Sequence, residues 1–157
     1  LKEWKPLAGQ GDADAQTNLG LMYQNGWGVP QDDKEAVYWY KLAAEQGDAK
    51  AQYNLGVMYD VGEGVPQDDK EAVRWYTLAA EQEHAKAQYN LGVMYALGEG
   101  VIKDYVYAHM WGNIASMNGN DKGETLRGYV AEKMTSSQIE EAQRLARECV
   151  KKNYKGC

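Results

Sequence analysis

The chain has 157 residues, of which 44% are hydrophobic and 25% charged, a globular composition that excludes intrinsic disorder and allows a buried core. Its formal charge of −6, from 23 acidic and 17 basic residues, has the wrong sign for a surface that neutralises phosphates, so nucleic acid is excluded as an expected partner.

No stretch approaches the roughly 20 apolar residues of a membrane-spanning helix, so membrane insertion is not expected. Leu1 to Gln10 lack the layout of a signal peptide, while a start at Leu1 instead of Met leaves room for a targeting segment removed upstream. Residues 1–10 are expected to be the end of a preceding helix or an N-terminal cap, with Pro6 marking a break or kink.

From Gly11 the chain repeats itself. Gly11 to Gln46 matches Gly47 to Gln82 at 28 of 36 positions, and Glu83 to Asn118 matches Gly47 to Gln82 at 19, of which 11 form the unbroken run Ala49 to Tyr59 against Ala85 to Tyr95. Such a period signals stacked supersecondary units, here 11–46, 47–82 and 83–118.

Each unit reads as two helices. In the second unit, Asp48 is a good N-cap before a helix over Ala49 to Tyr59, and Gly62 is placed to end it in a left-handed turn. Gly62-Glu63-Gly64-Val65-Pro66 cannot continue a helix. Asp68 and Glu71 then have capping-box spacing, as Asp32 and Glu35 do one repeat earlier. Ala72, Trp75, Leu78 and Ala79, like Ala36, Trp39, Leu42 and Ala43, recur at helical spacing and predict a buried stripe.

The third unit loses this pattern in its second half, where Ile102 stands for Pro66 and Tyr107, His109 and Met110 stand for Glu71, Val73 and Arg74. More apolar surface there implies a new neighbour, expected to be a capping pair of helices in 119–157, within Asp121 to Lys133 and Thr135 to Lys152. Thr135 with Gln138 forms a capping box at the start of the second, and Met134 against Ile139 a hydrophobic staple. Cys149 and Cys157 would lie about 12 Å apart along continuous helix, too far for a disulfide. Asn153 and Gly156 could turn the tail and let them pair in an oxidising compartment; the alternative is two free thiols in a cytoplasmic protein. No metal site is expected, since His84 and His109 lie far from these cysteines, and no cofactor motif appears.

The strings Gly47-Asp48-Ala49-Lys50-Ala51-Gln52-Tyr53-Asn54-Leu55-Gly56-Val57-Met58-Tyr59 and Gly64-Val65-Pro66-Gln67-Asp68, followed by Ala72, Trp75-Tyr76 and Ala79-Ala80-Glu81-Gln82, closely resemble the Sel-one-like repeat (SLR), a relative of the tetratricopeptide repeat (TPR). The resemblance covers three units, Gly11 to about Asn118, and the tail is similar to the C-terminal extension of bacterial members. It implies an all-α fold, a right-handed superhelical solenoid of helix-turn-helix repeats. It also implies a scaffold for proteins or extended peptides, often exported in bacteria, which makes a periplasmic or secreted location the expectation and the cytoplasm the alternative. A monomer is expected.

The repeats also point to a site. Of the eight differences between the first two units, five lie in the leading helix, at Asp14/Lys50, Thr17/Tyr53, Leu21/Val57, Gln24/Asp60 and Asn25/Val61. At about 100° per residue they fall within one arc of roughly 100°. Tyr53, Val57 and Val61, with Tyr89, Val93 and Leu97, put apolar groups on this variable face, as an interaction surface would. Asn18, Asn54 and Asn90 flank it in every repeat, each amide able to bind a peptide backbone. Lys50 and Lys86 lie one turn earlier, a spacing similar to the carboxylate clamp of some tetratricopeptide proteins. In those relatives the matching face lines the concave groove.

Catalysis is not expected. Some cysteine-rich relatives have been labelled β-lactamases, which makes binding or weak hydrolysis of β-lactams the alternative function. Yet none of Ser116, Ser136 and Ser137 is followed three residues later by Lys, and no Gly-x-Ser-x-Gly or Walker loop occurs.

Overall fold

The computed structural model describes residues 1–157, and all of its regular structure is helical. In chain order the helices are α1 (Trp4–Gly9), α2 (Ala13–Asn25), α3 (Asp33–Glu45), α4 (Ala49–Val61), α5 (Asp69–Ala80), α6 (Ala85–Leu97), α7 (Tyr105–Met117), α8 (Asp121–Ala131) and α9 (Ser136–Lys151). They group into two compact units, Leu1–Trp75 and Tyr76–Cys157.

Helix ends follow the capping residues. Asp12 and Asp48 accept hydrogen bonds from Ala15 N and Ala51 N, both at 2.7 Å, and open α2 and α4. Gly26, Gly62 and Gly98 close the leading helices at φ 68°, 75° and 74°, backbone that a side chain would strain. Asp32 Oδ1 accepts from Lys34 N and Glu35 N, and Asp68 Oδ1 from Lys70 N and Glu71 N, all at 3.1 Å. The reciprocal half expected of Glu71 is replaced by an ion pair with Arg74 at 3.2 Å. A full capping box forms at Thr135 and Gln138. Pro6 sits inside the first turn of α1, where its missing N–H costs no helical hydrogen bond.

Within the first unit, Ala36, Tyr40, Ala43 and Ala44 of α3 pack with Ala51, Leu55 and Met58 of α4 and with Trp75. α2 contributes Gly20, where a Cβ would collide with the Tyr40 ring, itself fully buried. The large ring fits because the residue facing it has no side chain. The buried stripe holds at Ala72, Trp75 and Ala79, but Leu78 is 36% exposed and Leu42 only half-buried.

A buried polar contact recurs at each join between a trailing helix and the next leading one. Gln16, Gln52 and Gln88 donate through Nε2 to the carbonyls of Ala8, Ala44 and Ala80 at 3.1, 3.2 and 3.0 Å. Gln46 Nε2 then donates to Gln16 Oε1 at 2.8 Å, and Asn118 Nδ2 to Gln88 Oε1 at 2.9 Å. These carbonyls belong to last turns and also accept from Gly11 N, Gly47 N and Glu83 N at 3.1, 3.0 and 3.2 Å, so each glutamine takes the second lone pair and ties one helix to the next.

In the second unit, α7 packs on α6, α8 and α9. α7 and α8 cross where a Cβ on Gly123 would strike Gly112 O and Ser116 N, so both backbones meet directly. Ala96, Ala108, Leu126 and Val130 form the local core, joined by Tyr89, Val93, Tyr95, Tyr105 and Met134.

The tail after α9 folds back, and a disulfide joins Cys149 to Cys157 with Cα atoms 5.5 Å apart. Asn153 and Gly156 take left-handed backbone at φ 50° and 65°, with Tyr154 between them at 63°. Two consecutive non-glycine residues in that region cost about 1 kcal/mol or more each. Closing this short loop with a disulfide offsets about 2.5 kcal/mol, and burial of the Tyr154 ring adds to that.

Two substitutions test this packing in an equilibrium denaturation experiment. Gly20→Ala is expected to destabilise by about 2 kcal/mol, because the fully buried Tyr40 ring has nowhere to retreat. Glu83 takes φ 62° where Gly11, Gly47 and Gly119 take 97°, 96° and 96°. Glu83→Gly is therefore expected to stabilise by roughly 0.5 to 1 kcal/mol, and a loss of stability would show that the Glu side chain contributes more than the backbone strain costs.

Candidate functional site

The candidate surface is one face of each leading helix, divided between the two units. In the first unit, Asn18 lies on α2, and Lys50, Tyr53, Asn54, Val57 and Val61 follow one another along α4. Lys50 is exposed, Tyr53, Asn54 and Val57 are half-buried, and Val61 is 57% exposed where the helix ends. In the second unit, α6 repeats this gradient: Lys86 exposed, Tyr89, Asn90 and Val93 half-buried, Leu97 55% exposed.

The variable arc is not the single open face that its spacing implies. Asp14 and Asn25 are exposed, but Thr17 is only 3% exposed and Leu21 packs against the first unit's core. Gln24 is engaged on both sides, accepting from the Tyr40 hydroxyl at 2.6 Å and donating to Met58 Sδ at 3.4 Å. Tyr89 and Val93 likewise rest partly on the cluster of Ala96, Ala108, Leu126 and Val130. Neighbouring elements cover one side of the arc, at Gln24, Thr17 and Leu21, and leave the other side, at Asp14 and Asn25, open. Helical spacing alone does not reveal that cover.

The Asn54 amide nitrogen is buried without a hydrogen-bond partner. It lies near the Tyr40 hydroxyl, which burial pushes above the ordinary phenol range while Asn54 acts the opposite way. The Tyr40 hydroxyl is thus the acceptor towards which this buried nitrogen is turned.

No group of three or more His, Cys, Asp or Glu side chains is gathered where it could hold a metal ion. His84 caps α6 by accepting from Ala87 N through Nδ1 at 3.2 Å, in the place of Asp12 and Asp48. His109 is 3% exposed on α7, and its Nδ1 has no partner. Burial, and then the Arg127 guanidinium, hold its pKa below the ordinary histidine value. Arg127 meanwhile donates to Asn113 Oδ1 at 2.8 Å.

Sequence reasoning passed over the buried glutamines Gln16, Gln52 and Gln88. Their recurrence inside a run of otherwise small and apolar residues is the signal that would have found them.

The geometry defines a class, a tandem array of TPR-like helix hairpins whose general role is protein interaction. The Sel1 repeat model matches residues 13–48, 49–84 and 85–120, so the chain belongs to the Sel1-repeat family, generally a non-catalytic scaffold. Among solved structures it is similar to c5321, a protective antigen present in uropathogenic Escherichia coli strains, with a TM-score of 0.88 and 36% identity over 96% of this chain. It spans 33% of that protein's length. It is also similar to a Sel1 repeat protein from Oxalobacter formigenes, with a TM-score of 0.74 and 41% identity over 81% of this chain and 96% of the other. No curated protein matches the sequence. No helix is long and apolar enough to cross a membrane.

The His109 environment gives a pH prediction. Its folded pKa is depressed, so its contribution to stability is fully present above the unfolded value of 6.5 and is lost as pH falls through the folded pKa. Stability from denaturant titrations is expected to decline below pH 6.5 before the carboxylates titrate, and His109→Val, the residue found at Val37 and Val73, should flatten that decline.

Proposed function

We propose that this chain is a non-catalytic scaffold that binds an extended segment of another protein on the leading-helix faces of its units. Asn18, Lys50, Tyr53, Asn54, Val57 and Val61 would make contact in the first unit, and Lys86, Tyr89, Asn90, Val93 and Leu97 in the second. One observation carries this reading: each face runs from a solvated Lys, past a half-buried Tyr and Asn, to an apolar side chain more than half exposed at its open end. Asn54, half-buried on this face, carries an amide of the kind that binds a peptide backbone. Lys50 and Lys86 suit an acidic or carboxylate-bearing guest, and the rigid aromatic rings serve as anchors. The disulfide supports an exported, oxidising location.

Val61→Asn with Leu97→Asn tests the site while sparing the core, since Asn25 is the first repeat's own residue at that position. Proteins captured from the source cell by the native chain should bind the variant at least about tenfold more weakly, with thermal stability unchanged. Equal retention by both chains would reject the face as the site. Turnover of a chromogenic β-lactam above a heat-denatured control would instead support the hydrolase alternative; none is expected, because no serine stands in the Ser-x-x-Lys arrangement.

A further inference from the structure

The geometry points to the C-terminal tail, residues 153–157, as a redox-operated latch on the α7–α9 face of the second unit. This stands independently of the binding reading above. Gly156 and Cys157 of the tail line a cavity of about 110 Å³ together with Tyr107, Met110, Leu145, Glu148, Cys149 and Lys152. What holds the tail there is uneven. Tyr154 is 8% exposed, but its hydroxyl donates to Asn118 Oδ1 only at 3.4 Å, and Gly156 N donates to Glu81 Oε1 at 3.3 Å. Asn153 and Tyr154, two adjacent non-glycine residues in left-handed backbone, close α9 with bonds from Asn153 N to Val150 O at 3.0 Å and Tyr154 N to Cys149 O at 2.9 Å, and beyond them the bond from Lys155 N to Lys152 O lengthens to 3.2 Å. The covalent bond from Cys157 to Cys149 is therefore the restraint that reduction removes, over and above the α9 cap and the long contacts of the chain end.

The two sulfurs are also placed unequally. Cys149 is 2% exposed on α9, whereas Cys157 is half-exposed at the chain's end. A thiolate of a dithiol reductant would attack the Cys157 sulfur from solvent, forming a mixed disulfide there and releasing Cys149 as a thiolate, which takes up a proton. The reductant's second thiolate then attacks the mixed disulfide, its proton passing through solvent to the Cys157 thiolate that leaves. Two electrons and two protons pass from the dithiol, which becomes a cyclic disulfide, to the protein, which gains two thiols. Cys149 then remains within the helix packing as a small apolar side chain, and the tail is freed from Asn153 onward. Closed and open forms thus correspond to oxidising and reducing surroundings.

Amide exchange of the intact chain, with and without dithiothreitol, tests the latch. The Tyr154 amide, which donates to Cys149 O at 2.9 Å in the closed form, should exchange at least about tenfold faster after reduction, while amides of Ala142 to Ala146 and of α2 to α4 keep their rates. Cys157→Ser should already show the fast rate and not respond to the reductant. A fully reduced chain that still protects Tyr154 would overturn the proposal, because noncovalent contacts would then suffice. Loss of protection throughout α9 would overturn it too, making the bond a staple of the fold, and so would a native-state bond that dithiothreitol does not reduce.

Discussion

The contact on which the array depends is the one between a buried glutamine and the last turn of the helix before it. At the end of a trailing helix the carbonyls of Ala8, Ala44 and Ala80 accept one N–H from the turn that follows and keep a second lone pair, and the next leading helix buries that end from water. Gln16, Gln52 and Gln88 meet this need from the same position in each repeat, donating to Ala8, Ala44 and Ala80. A purely apolar residue there would fill the space but leave that carbonyl with only the N–H of its own following turn, and the bond between the two helices would be lost. The hydrogen bond also fixes axial register, which stacked alanines do not.

Where the array ends, the same constraint is met differently. Asn118 takes the place of Gln46 in bonding the buried glutamine, and the Tyr154 hydroxyl reaches Asn118 from the folded-back tail. α7 carries Tyr107, His109 and Met110 where α5 has Glu71, Val73 and Arg74, because it packs against two further helices. Burying a histidine there leaves Nδ1 unpaired beside Arg127, a local cost that the surrounding apolar contacts offset.

Much of this could be read from the residues themselves. The period, the aspartate caps, the glycine turns and the two capping helices are local signals, each set by a few adjacent side chains. What stayed hidden depends on neighbours. Thr17 and Tyr53 occupy the same register, yet Thr17 is fully enclosed and Tyr53 half-open, and no property of either helix alone distinguishes them. Leu78 fits an apolar stripe, yet it is 36% exposed, which its spacing along the helix does not show. Glu83 takes a backbone conformation that glycine holds at the equivalent joins, which follows from the geometry of the join more than from the residue. The candidate face was found by comparing repeats, but how far it is covered emerged only with the fold.

The glutamine contact meets main chain rather than side chain, and main chain is the same whatever sequence surrounds it. A duplicated 36-residue unit therefore brings its own donor and finds its acceptor ready, with no compensating mutation required. Unequal recombination between stretches as alike as the first two can lengthen or shorten the gene in whole steps, each step leaving a protein that still folds.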